Sequence, residues 1–154
     1  VILCITSSYL LAGTVEVKWT DPDSYRDIRS GTQHPKHFRK NTFNVLEKHL
    51  AKLADKLPQG QILKIDVTDV DLAGEIFYGN SHQLRVVKEA NFPRMVFSYQ
   101  LINADKTLAT SGEADIKDMN FLQFNSPAYR NKALGNEKRL LDDWFKETFS
   151  ESKG

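Results

Sequence analysis

Residues 95–116, MVFSYQLINADKTLATSGEADI, decide the fold class. Met95, Phe97, Tyr99 and Leu101 alternate with Val96, Ser98 and Gln100, so a strand here buries one face and gives the other to solvent. Asn103-Ala104-Asp105-Lys106 supplies residues that hydrogen-bond their own backbone in turns. Leu108, Thr110, Ala114 and Ile116 then line a returning strand, which closes a hairpin. The hairpin commits this part of the chain to antiparallel pairing.

Outward from the hairpin the same period recurs. Ile62 to Val70 sets Leu63, Ile65 and Val67 on one face and Lys64, Asp66 and Thr68 on the other. Val15, Val17 and Trp19 alternate with Glu16, Lys18 and Thr20 until Asp21-Pro22-Asp23-Ser24 breaks the strand. Leu84 to Lys88 reads as a short strand after a loop over 79–83. Two segments change to a helical period. Phe43, Leu46, Leu50, Leu53 and Leu57 form one apolar stripe that starts after Pro35 and ends at Pro58-Gln59-Gly60. Leu140, Leu141, Trp144, Phe145 and Phe149 form another, with Asn136 placed to cap it. The order strand, helix, strands, helix predicts a single α+β domain. Its expected form is a mixed or mainly antiparallel sheet of about four to five strands with two helices packed on one face. The domain is expected over residues 14–150, with 151–154 as a disordered tail.

A chain of 154 residues is enough for one core and too short for two good ones. The 21 Lys and Arg against 20 Asp and Glu leave a formal charge of +1. That balance gives no basic footprint and argues against nucleic acid as a partner. Val1 to Gly13, VILCITSSYLLAG, carries no charged residue but is too short to span a bilayer, which needs about 20 apolar residues. It reads as the apolar core of a secretory leader ending in small residues at Ala12 and Gly13. The competing reading is a buried first strand. On the export reading the protein is periplasmic and does not span the membrane once the leader is removed. Thr14 stands where a lipoprotein would carry cysteine, and the single cysteine, Cys4, lies inside the leader. The mature domain then has no thiol for a disulfide, a nucleophile or a thiolate zinc site, and no cofactor is expected.

Asp69 and Asp71 continue the core-facing alternation of Leu63, Ile65 and Val67, so a strand that ran straight on would point both carboxylates inward. Such a pair needs a cation or an arginine beside it. A calcium loop does not fit, because the positions that must supply oxygen ligands hold Ala73 and Asn80. The plainer reading ends the strand there and leaves the aspartates to water or a turn. Asp118 and Asn120 are candidates for ligand contact or for shaping a corner. Arg94 and Arg130 could take a carboxylate or phosphate, or close internal salt bridges. Asp142-Asp143 reads as a solvated helix edge. The histidines His34, His37, His49 and His82 are scattered, and no metal site is expected from them.

The runs VEVKWTDPDSYRDIR (15–29), ILKIDVTDVDLAGE (62–75), IKDMNF (116–121) and EKRLLDDWF (137–145) resemble a domain-of-unknown-function family numbered 3016. The similarity runs from about Val15 to Phe149. It implies a small exported protein of Gram-negative bacteria with no assigned activity, and it carries no catalytic residue over.

Three functions follow from these readings. The leading one is a non-catalytic periplasmic binding or accessory module of the cell envelope. Its partner would be an envelope protein or a small polar ligand, met by Asp69, Asp71, Arg94, Asp118, Asn120 and Arg130 at one end of the sheet. The second is a hydrolase using an aspartate pair such as Asp71 and Asp118 as general acid and base. The third is a structural partner in an envelope assembly, docking through aromatics such as Phe77, Tyr78 or Phe92.

Overall fold

A computed structural model of the chain describes residues 12–26, 28, 34–73, 75–78, 83–86, 92–121, 127–130 and 132–149, with backbone alone at 75–78, 83–86 and Arg130. The elements are β1 (Thr14–Trp19), α1 (Pro35–Ala54), β2 (Ile62–Asp71), β3 (Glu75–Tyr78), β4 (Gln83–Val86), β5 (Arg94–Ile102), β6 (Leu108–Lys117), α2 (Pro127–Arg130) and α3 (Gly135–Phe149), with a short 3-10 turn at Pro22–Ser24.

The hairpin reading holds. β5 and β6 pair antiparallel, and the turn between them is closed by Asn103 N–H to Thr107 O at 2.8 Å, with Lys106 at a φ of 69°. β2 adds antiparallel to β5, and β1 adds parallel to β2 through the α1 crossover. The result is a four-stranded mixed sheet in the order β1-β2-β5-β6, with β3 and β4 as a separate two-stranded ribbon. The predicted α+β class, the single domain and the mixed sheet are what the chain adopts.

Both long helices lie against one face. α1 meets the β1 side through Phe43, whose ring stacks on Trp19 at 3.9 Å and 6°. α3 meets β5, where Trp144 stands edge-on to Phe97 at 4.7 Å and to Tyr99 at 5.3 Å. Leu46, Leu50, Leu63, Val67, Phe97 and Leu141 are almost wholly buried between the layers. Removing a buried aromatic such as Phe97 leaves a cavity as well as losing transfer energy, about 3–5 kcal/mol in all. Gly112 pairs with Tyr99, and a Cβ there would lie 2.7 Å from the tyrosine oxygen. The ring thus covers a strand position that must carry no side chain.

Three local expectations give way. α1 stops at Ala54, before Pro58, because the backbone turns at Asp55 to Leu57 and buries Leu57 from outside the helix. α3 begins at Gly135, so Asn136 lies inside the helix and is not its cap. Leu134, at a φ of 55°, holds the cap position and its carbonyl accepts the Lys138 N–H at 2.9 Å. Leu108 is 55% exposed because the pairing slips between Leu101 and Ile102, setting Leu108 opposite Ile102 rather than on the buried row.

Candidate functional site

With the helices on one side, the other side of the sheet is left without a covering layer among the described residues. Its side chains follow the register in rows. Glu16, Lys64, Gln100 and Ser111 form one row, and Lys18, Asp66, Ser98 and Glu113 form another. Between them runs the row Val17, Ile65, Tyr99 and Gly112, whose members offer backbone to this face because the side chains of Ile65 and Tyr99 turn toward the core. The two polar rows wall an open trough of about 720 Å³ with that backbone as its floor. The walls carry both signs and neutral hydrogen-bonding groups. Lys64 lies 3.9 Å from Glu16, and the Thr20 hydroxyl donates to Asp66 at 2.5 Å.

Farther along the same face stand three of the sequence-selected residues. β2 contains one extra residue between Val67 and Asp69, a bulge at Thr68. The extra residue shifts the alternation by one, so Val70 is buried while Asp69 and Asp71 take the solvent-facing phase. The inward pair that a straight strand would give does not form, and the plainer reading is half met: the aspartates take the solvent-facing phase, but the strand runs on to Asp71. Asp69 accepts the Arg26 backbone N–H at 2.9 Å and lies 3.5 Å from its guanidinium. Arg94 pairs in register with Asp71 and grips Asp115 by two bonds of 2.7 Å. Those bonds, led by the side-chain hydrogen bond from Arg94, hold the Asp115 carboxyl below its ordinary range.

Asp118 and Asn120 belong elsewhere. Asp118 follows Lys117, the register partner of Arg94, and so takes the helix side of the sheet. There it forms an ion pair with Arg139 of α3 and accepts the Asn120 backbone N–H at 3.1 Å. These two residues build the corner between β6 and the helices. Asp71 and Asp118 thus face opposite sides of the sheet, which removes that aspartate pair as a shared acid–base site. The Arg130 side chain and those of Phe77 and Tyr78 lie outside the described residues, and Phe92 is half-buried rather than exposed.

Two polar arrangements carried no signal in the sequence. Asp142, expected to be solvated, accepts Tyr129 at 2.5 Å and lies 2.5 Å from His49 Nε2, joining α1, α2 and α3. Burial, and then the bond to Asp142, push the Tyr129 phenol up to about 12. Glu137 is 3% exposed and accepts the Ala73 N–H at 2.8 Å, tying the end of β2 to α3. His49 and Asp142 are 93 residues apart, so only the tertiary fold could show their meeting. Among the described residues no three His, Cys, Asp or Glu are grouped to hold a metal ion, and no helix is long and apolar enough to cross a membrane.

The fold and this face define a small single-domain α+β protein that presents a polar sheet surface opposite its helices. The chain belongs to the family of proteins of unknown function DUF3016, which it matches over residues 13–147. No curated protein matches it.

Proposed function

We propose that the protein is an exported, non-catalytic binding module of the bacterial envelope, and that its open sheet face takes a polar ligand carrying both an amine and a carboxylate, of short-peptide character. The observation that carries this reading is the trough of about 720 Å³ walled by the two polar rows, a volume in the range of ligand sites. Lys18 and Lys64 suit a carboxylate, Asp66 and Glu113 suit an amine, and Ser98, Gln100 and Ser111 suit amides between them. The uncharged leader-like run before β1 supports export.

The test is a titration of the ¹⁵N-labelled domain with triglycine, whose ends carry the two charges and whose middle is amide. Amide shifts should concentrate at Lys64, Asp66, Ser98, Gln100 and Glu113, and should weaken with added salt. Ser98→Trp fills the trough from an exposed position, so it should abolish the shifts while leaving the melting temperature within a degree or two. The reading fails if triglycine shifts no trough residue, or if the shifts survive in the tryptophan variant.

A further inference from the structure

The junction between the apolar leader and β1 holds a feature that leader composition alone does not explain. Gly13 has no room for a side chain: a Cβ there would lie 2.4 Å from the Ala54 carbonyl oxygen and 2.6 Å from Leu57 Cβ. Contacts that close to backbone leave glycine as the residue that fits. From the next residue onward the chain is pinned, since Thr14 N–H donates to Gln61 O at 2.9 Å and the parallel pairing with β2 begins there. Ala12, one residue earlier, is exposed. The family match also begins at residue 13.

We infer that the chain is processed between Ala12 and Gly13, so that Gly13 is the first residue of the mature protein. This rests on the export reading above. A leader peptidase of the host membrane would hydrolyse the Ala12–Gly13 bond with one water, leaving a carboxylate on Ala12 and an ammonium on Gly13. Such enzymes favour small residues at the first and third positions before the cut; Ala12 supplies the first, while Leu10 stands at the third, so the choice of bond rests on the packing of Gly13. Downstream of this bond, two other cuts leave a small or near-small residue at the same place, after Gly13 or after Thr14. Each removes a residue that the folded domain uses.

The test is the mass of the mature protein. The full-length precursor is expressed in a Gram-negative host, the osmotic-shock fraction is collected, and the intact mass and N-terminal sequence are read. A chain beginning Gly-Thr-Val-Glu supports the inference. A chain in that fraction beginning at any other residue overturns it and leaves export standing. An uncut chain retained in the cytoplasm overturns the export reading together with this one. Ala12→Glu should make the precursor accumulate several-fold. Gly13→Ala should be cut at the same bond but lose about 5 °C or more in melting temperature. An unchanged melting temperature in Gly13→Ala would remove the packing argument.

Discussion

At the scale of single residues, the Arg94–Asp115 pair makes the most direct statement. The two 2.7 Å bonds favour the ionised carboxylate, so Asp115 titrates below its ordinary value. A depressed folded value contributes stability that is present above the unfolded value and is lost as pH falls through the folded one. Because Asp115 is 51% exposed, that contribution is small, under about 1 kcal/mol. Arg94→Met should therefore move the NMR-detected midpoint of Asp115 upward, toward that of a free aspartate, with little change in overall stability. A midpoint that stays put would mean that the bidentate contact does not form in solution. The sequence left Arg94 open between a ligand and an internal salt bridge and did not point to Asp115. Asp115 lies 21 positions away on the neighbouring strand, and only the β5–β6 register brings it within reach.

At the scale of elements, the bulge at Thr68 and the clasp at Glu137 set how β2 ends. The strand, its turn and its apolar row were legible because alternation is a local property of the chain. The bulge was not, since it is decided by pairing with β5, and one unpaired residue inverts everything after it. Thr68→Ser should be nearly silent. Deleting Thr68 joins Val67 directly to Asp69, whose partners Phe97 and Val96 are already consecutive, so Val70 should stay inward, both aspartates outward, and the dispersed NMR spectrum should be kept. Loss of that spectrum would show that β2 needs the bulge itself and not only the phase it sets. Glu137→Ala leaves the buried Ala73 N–H without that acceptor and should cost about 1–3 kcal/mol in urea unfolding. Glu137→Gln keeps an acceptor oxygen and should recover part of the loss. The start of α3 was misread for a related reason: Gly135 fits because a Cβ would lie 2.1 Å from Tyr129 O, a contact made through α2.

At the scale of the whole molecule, the layer order was legible and the open face was not. Amphipathic helices at both ends of a run of strands predict helices on one side of a sheet. Which polar residues then share the far side follows from strand order and register. β1 joins parallel to β2 at the edge, and this brings Glu16 and Lys18 beside Lys64 and Asp66. Two tyrosines report on the integrity of the whole packing. Tyr25 is held by its bond to Val67 O and pushed up to about 12 mainly by burial, and Tyr129 is likewise raised to about 12. A raised folded value contributes stability that is complete below the unfolded value near 10 and fades as pH climbs through the folded one. Stability should accordingly fall between pH 10 and about 12, and the two phenols should ionise late in a spectrophotometric titration. Tyr25→Phe and Tyr129→Phe should each flatten part of that fall.

The parallel pairing of β1 with β2 has a consequence for the order in which the fold is assembled. Thr14 pairs with Ile62, so β1 leaves the ribosome well before its partner exists. At about 5–20 residues per second it waits for some seconds. Until then the edge formed by Thr14–Trp19 has no neighbour to hydrogen-bond, and its alternating valines and tryptophan are open to any extended chain nearby. The vulnerable interval for this domain thus runs from the synthesis of β1 to that of β2, and a holding chaperone acting in it should raise the yield more than one acting on the finished chain.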